Sequence, residues 1–566
     1  MSETSPERAT ERGGTLGKRE HTAVVLLVAA TAIAVFLGWR LLWFLTDDAF
    51  IAFRYISNSI AGWGYVWNPP PFAPVEGYTS FAWVVLLDGV WRFTGVEPPV
   101  AANWISLALG YATLFIVARM FWRMRLPEPL RRYRLAALSL VLLGTVTNRT
   151  TLAWLSSGLE TALFNFSLTA WIYFGTAPRE HRGRHWILGL SGFAGLTALT
   201  RPDGLLFFVA TLACIALHLW RRGPSPASSA AVPSHEGAVR QLAWAAPLLV
   251  VPAHLIWRFA TYGSWLPNTY YAKHVAAWPE SGVRYMASFL LEYSLWIWIW
   301  LGALVLVAEL RRGGLGSRAR RALLDPYWIT LGAVVGQVGY YTLNIGGDHF
   351  EYRVYSYLIP LLFLSSVWLA ARWMPKPSLM LTTMGLLVVL SWPIPWVHWW
   401  YTKDLVSLGA TGIMIVPIAP HFPAALRPPV EAWDELQLWL ISHMVGSRHQ
   451  EHKVFYELRV GQLPARGETN LRWEDRDVIL VGGVGVVGWV LPQAAIIDYY
   501  GLNDPIVARS TRDTGRGVRL MAHDRMAPKR YTSCYRPNLA VKDGHIIRTA
   551  RTLTDAKIKA CQLIRW

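Results

Sequence analysis

Two adjacent carboxylates, Asp47 and Asp48, open the stretch TDDAFIAFRY directly behind the first long apolar run. A carboxylate in such a place can take a hydroxyl proton as a general base, bind a divalent ion, or cap the helix that AFIAFRY suggests. Cations stand beside acids or polar groups in three later motifs: Arg201 and Asp203 in TRPDG, Lys273 and His274 in LPNTYYAKH, and Asp348, His349 and Arg353 in GGDHFEYR. Arginine offers phosphate oxygens a planar fork and lysine a point charge. The competing reading for these cations is snorkelling at the ends of membrane spans.

The elements that must position these groups are largely apolar. Of 566 residues, 53% are hydrophobic, and the long apolar stretches recur through the first 400. That profile is a polytopic α-helical membrane protein. The run His21–Phe44 reads as a retained anchor, and ten further spans are expected near 99–118, 135–152, 159–176, 186–199, 204–220, 241–260, 286–308, 327–344, 355–371 and 378–397. Ser80–Thr94 carries Asp88 and Arg92, so it is expected to lie along the interface as an amphipathic helix. With a cytoplasmic N-terminus, the inner segments hold 23 Lys and Arg and the short outer ones seven, as the positive-inside rule asks. Most of the net charge of +18 is then a topogenic signal, which argues against a nucleic-acid partner.

Three parts follow: a cytoplasmic tail, 1–20; a transmembrane domain, 21–397; and an extracytoplasmic α/β domain, 398–566. In the last, Arg427–Val445 and Thr552–Ile564 read as helices, and Asp477–Val481 and Ala494–Tyr499 as strands. Cys534 and Cys561 both fall there, where oxidation is permitted, and are expected to pair; Cys214 lies within a span. The run GGVGVVG, Gly482–Gly488, contains G-x-G-x-x-G, but Pro492 follows too soon for a dinucleotide-binding helix. Its glycines are expected to serve a tight strand-to-helix turn.

The polar motifs TDDAFIAFRY, VEGYTSF, SSGLET, TRPDG, LPNTYYAKH and GGDHFEYR all fall at outer span ends, which points to one site at the outer membrane interface. The expected helix before TRPDG has 14 residues, about 21 Å against a hydrocarbon core of about 30 Å. Arg201 and Asp203 are therefore expected below the outer surface.

The ordered set DDAFIAFRY, GYVWNP, VEGYTSF, TRPDG, LPNTYYAK and GGDHFEYR resembles the GT-C superfamily of polyprenyl-phosphate-sugar-dependent glycosyltransferases. With DYYGLNDPIVAR and MAHDRMAPKRY behind it, the chain is most similar to the actinobacterial terminal β-(1→2)-arabinofuranosyltransferase group. The resemblance implies a GT-C fold of about 11 transmembrane helices in the plasma membrane. The implied donor is decaprenyl-phosphoryl-arabinofuranose, and the implied acceptor is the arabinan of arabinogalactan or lipoarabinomannan. Asp47 and Asp48 become the catalytic pair, one the base and the other an acceptor or divalent-ion ligand. Arg201, Lys273, Arg353 and His274 become phosphate ligands. Arg54, Glu76, Tyr78, Asp203, Asn268, Tyr270, Asp348 and His349 become the substrate-binding set, with Arg54 as an alternative partner for Glu76. A related transferase using another lipid-linked sugar, such as mannose, a transporter, and a noncatalytic envelope scaffold are the rival readings. Transporters place polar groups near the midplane, and here they gather at one face.

Overall fold

The first helix, α1 (Lys18–Leu41), stops where the sequence turns polar, and the chain re-enters helix at once as α2 (Asp47–Ile60). Thr46 is extended and starts α2 with Asp47 and Asp48 in its first turn, where carboxylates favour the positive end of the helix. The computed structural model describes residues 18–221, 241–274, 276–311, 325–374, 376–408, 414–511, 518–551 and 553–563. The tail before residue 18 and loop residues 222–240 lie outside them.

The amphipathic helix expected at 80–94 is α3 (Phe81–Thr94), with Asp88 buried between the Tyr65 hydroxyl at 2.7 Å and Arg92 at 3.1 Å. It is followed by α4 (Pro98–Arg123). Helices coincide with the expected spans, but their lengths differ. Among the described residues, five are long and apolar enough to cross a membrane: Arg19–Leu41, Pro98–Arg123, Pro202–Trp220, Ala243–Tyr262 and Pro377–Thr402. Arg134–Val146 and Leu358–Trp373 are apolar but shorter. The protein is thus a multi-pass membrane protein.

The span expected at 286–308 is broken and not straight. Pro279–Glu292 and Trp296–Arg311 meet at a 96° bend. Ser294, at the break, has a left-handed φ of 51°. Glu292 ends the first helix and is fully buried, and its carboxylate needs partners that a straight lipid-facing helix could not supply.

The C-terminal segment is mixed in structure. Helix Arg427–Ser442 packs on Pro279–Glu292. Strands β1 (Val478–Val481) and β2 (Ala495–Asp498) pair in parallel, joined through the short helix Gly485–Val490; β3 (Leu539–Lys542) and β4 (His545–Arg548) form an antiparallel hairpin. A small core around Val478, Ile497, Val507, Tyr531 and Ile558 belongs mainly to this segment. A second, larger core joins Val484, Val486, Val487 and Ile496 to Phe53, Ile56, Trp67 and Trp83 of the first interhelical region. Cys534 and Cys561 are disulfide-bonded.

Candidate active site

The paired acids have separate employments. Asp47 is buried, and its two carboxylate oxygens each accept a backbone N–H, from Gly485 at 3.1 Å and Val486 at 2.8 Å. Burial pushes its carboxyl up to about 6, although the Val486 and Gly485 N–H donors pull the other way. The glycine-rich run is explained by this joint. A Cβ on Gly485 would lie 1.7 Å from the Asp47 carbonyl oxygen, and one on Gly488 2.9 Å from Cδ of Arg54. Beyond the expected turn, the glycines let this short helix close onto α2, and the Asp47 carboxylate occupies its N-terminal N–H groups.

Asp48 is half-buried and acts electrostatically on His349 and on His523 of the C-terminal segment. Around these groups the separated motifs converge. Arg201 donates from Nε to Asp203 at 3.1 Å, from Nη1 to Glu160 at 3.2 Å and from Nη2 to the Tyr341 hydroxyl at 2.8 Å. Arg353 makes a forked pair with Asp348 at 2.8 and 3.3 Å and lies over the Phe350 ring at 4.3 Å. Burial alone would raise the Asp348 carboxyl; Arg353, then Arg201, then Lys273 overcome it and hold it below the usual range. Lys273 is exposed and, among the described residues, has no ion-pair partner. Three cations thus gather at one end of the helix bundle, two restrained by carboxylates and one open. His274 stacks on the partly exposed Tyr270 ring at 5.1 Å.

Four residues of the expected substrate-binding set are instead occupied by protein partners. Arg54 is fully buried and donates to Trp67 O, Gly488 O, Leu491 O, Ala494 O and Asn68 Oδ1. Glu76 pairs with Arg258 at 2.5 Å, not with Arg54. Tyr78 is buried against Tyr55 and reaches the Tyr262 hydroxyl at 3.3 Å. Asn268 donates to the carbonyls of Gly501 and Leu502 at 2.9 and 3.0 Å. In each case a buried polar group is satisfied by the fold itself, for Arg54 and Asn268 across the joint with the C-terminal segment. Both Asp47 oxygens accept backbone N–H groups, and among the described residues no group of three His, Cys, Asp or Glu is placed to hold a metal.

The sequence reading also missed a buried network behind the site. Arg149 and Arg448 face Glu292 and Glu351, all with side chains 0–1% exposed. Arg149 meets Glu351 at 2.9 Å and Glu292 at 3.3 Å; Arg448 meets Glu292 at 2.9 Å and Glu351 at 2.7 Å. Two positive and two negative groups balance. Glu351 sits inside the loop that carries Asp348, His349 and Arg353. The same loop is tied to the C-terminal segment by Gly446 N to Asp348 O and Ser447 N to His349 O, both 2.8 Å. A signal for Glu292 existed: a lone acid in the apolar run SFLLEYSLWIW is costly in a membrane and asks for a partner. Tyr341 and His523 carried no pattern that spacing could single out.

No family model matches the chain. A terminal β-(1→2)-arabinofuranosyltransferase of Mycobacterium tuberculosis (strain H37Rv) is 29% identical over 361 residues, which cover 58% of this chain and 53% of that protein. The chain thus spans about half the length of this curated relative. Among solved structures, ArnT from Cupriavidus metallidurans bound to undecaprenyl phosphate aligns with a TM-score of 0.48 and 13% identity, over 93% of this chain and 97% of that one. The chain is thus similar to a terminal β-(1→2)-arabinofuranosyltransferase, the group that its motifs resemble.

Proposed function

We propose that the protein is a membrane glycosyltransferase that moves a sugar from a polyprenyl phosphate, and that the sugar is arabinofuranose from decaprenyl-phosphoryl-arabinofuranose. The acceptor on this reading is the end of an envelope arabinan. The observation that carries it is the convergence of Arg201, Lys273 and Arg353 on Asp348, next to His349, on which Asp48 also acts, so that groups from four distant motifs share one region. The relation to the mycobacterial enzyme supports the choice of sugar.

Asp48 takes the proton of the attacking hydroxyl, whose oxygen bonds to the anomeric carbon. The bond from that carbon to the phosphate oxygen breaks, and the lipid phosphate leaves with the electron pair. Arg353, Arg201 and Lys273 neutralise it. Donor and product are both β-linked on this reading, so configuration is retained. A single in-line displacement would invert it, and retention calls for a covalent intermediate or same-face attack. The proposed topology has a cytoplasmic N-terminus, eleven spans within 21–397 and an extracytoplasmic domain, 398–566, with the site on the outer side of the plasma membrane.

The test offers the purified protein decaprenyl-phosphoryl-arabinofuranose and polyprenyl-phosphoryl-mannose in parallel, with a synthetic arabinofuranosyl oligosaccharide. A β-(1→2)-arabinosyl product is expected. Mannose transfer alone would discard the sugar assignment, and turnover of neither would discard the transferase reading.

A further inference from the structure

His523 belongs to MAHDRMAPKRY in the C-terminal segment, far in sequence from every other group of the candidate site. Its Nδ1 lies 2.8 Å from the Met521 carbonyl. A carbonyl can only accept, so Nδ1 carries the proton and, in the neutral ring, Nε2 keeps its lone pair. His349 is built the same way, with Nδ1 2.8 Å from the Met444 carbonyl. The two rings are 5.1 Å apart at 54°, and Tyr500 meets His523 edge-on at 4.8 Å. Asp48 acts on both rings.

Neither Nε2 is bonded to a group among the described residues, and neither is among the sealed polar atoms, whereas Nε2 of neighbouring His452 is sealed and unpartnered. Burial, followed by the nearby His349, holds the His523 ring down to about 4, so it is a neutral acceptor near pH 7. The turn is held firmly. Met521 N donates to His443 O at 2.9 Å, Leu520 N donates to Asp524 at 2.8 Å, and Ala522 takes a left-handed φ of 61°. Such strain in a non-glycine residue is tolerated where the surroundings over-determine it, and it gathers at functional sites.

We infer that His523 is a substrate-contacting residue supplied by the C-terminal segment, whose Nε2 accepts a hydrogen bond from a sugar hydroxyl beside Asp48 and His349. The inference rests on the transferase reading and adds to it that the C-terminal segment completes the site. A site built to bond a hydroxyl pairs the substrate's polar group on binding, and removal of the acceptor leaves that hydroxyl unpaired.

The test uses the full chain in nanodiscs, with His523→Phe, which keeps a flat ring without an acceptor, and His523→Gln, which keeps an acceptor. Binding of a synthetic arabinofuranosyl oligosaccharide is read by tryptophan fluorescence, and transfer gives KM for donor and oligosaccharide separately. We expect His523→Phe to weaken one of the two sugars at least tenfold with kcat changed far less, and His523→Gln to recover part of the loss. A rise in oligosaccharide KM assigns the hydroxyl to the acceptor, and a rise in donor KM assigns it to the donor. Parent-like binding and KM values in His523→Phe overturn the inference while the transferase reading stands. If the parent binds the oligosaccharide without transferring, that reading fails and the binding comparison alone decides His523. If the parent binds neither sugar, both fall.

Discussion

Arg448→Met removes one of the two cations from the buried network behind the site. The lost contacts are two hydrogen bonds to Glu292 at 2.9 Å and the ion pair to Glu351 at 2.7 Å. Glu292 keeps Arg149 at 3.3 Å and the Trp433 indole at 3.2 Å, and the cluster is left with one excess negative charge out of contact with water. Breaking a buried pair from one side costs about 3–5 kcal/mol. Glu292→Gln alone leaves one excess positive charge and costs a similar amount. The double variant is neutral again around the Arg149–Glu351 pair. Its cost should therefore fall short of the sum by about 2–3 kcal/mol, at the upper end for groups in one network. Reversible unfolding in mixed detergent micelles, followed by tryptophan fluorescence, gives the four corners of the cycle. Because Glu351 lies in the loop bearing Asp348 and Arg353, each single variant should also lose transfer at least tenfold, and the double variant should regain part of it. Strict additivity, or single costs below about 1 kcal/mol, would refute the view that a balanced charge cluster holds this loop.

Two further outcomes follow from the same structure. Asp47 has a folded-state carboxyl raised to about 6 by burial, so its contribution to stability is full at low pH and is lost as pH rises through that value. Asp47→Asn does not titrate, and its stability relative to the parent should rise by about 2 kcal/mol between pH 4.5 and 7.5; a pH-independent difference would contradict the assignment. Replacing Cys534 and Cys561 by serine opens a link across 27 residues of sequence and should cost roughly 3–4 kcal/mol in chain entropy. An unchanged denaturation midpoint of the C-terminal segment would contradict it.

The positions of the helices were legible in the apolar runs, and the strands Val478–Val481 and Ala495–Asp498 in their short β-rich stretches. What apolar periodicity does not encode is the right angle at Glu292–Trp296, because the bend is set by partners from other helices and from Arg448. The convergence of TRPDG and GGDHFEYR was legible in their shared polarity at span ends. The division of labour between Asp47 and Asp48 was not. Neighbours on a helix point about 100° apart, and only the packed C-terminal segment decides which one meets N–H donors. Arg54 and Glu76 misled for the same reason: a polar residue beside a motif looks the same in sequence whether it faces substrate or a backbone carbonyl.

The most direct test of the account is the transfer rate of Asp48→Asn beside Asp47→Asn and the parent, with decaprenyl-phosphoryl-arabinofuranose as donor. Loss of a general base removes about 10²–10⁴-fold in rate. The account predicts that Asp48→Asn loses at least a hundredfold in kcat while its unfolding midpoint stays at the parent value. It predicts that Asp47→Asn keeps measurable turnover and changes chiefly in stability and its pH dependence. Undiminished turnover in Asp48→Asn, or complete loss in Asp47→Asn with stability untouched, would contradict the assignment of the base to Asp48.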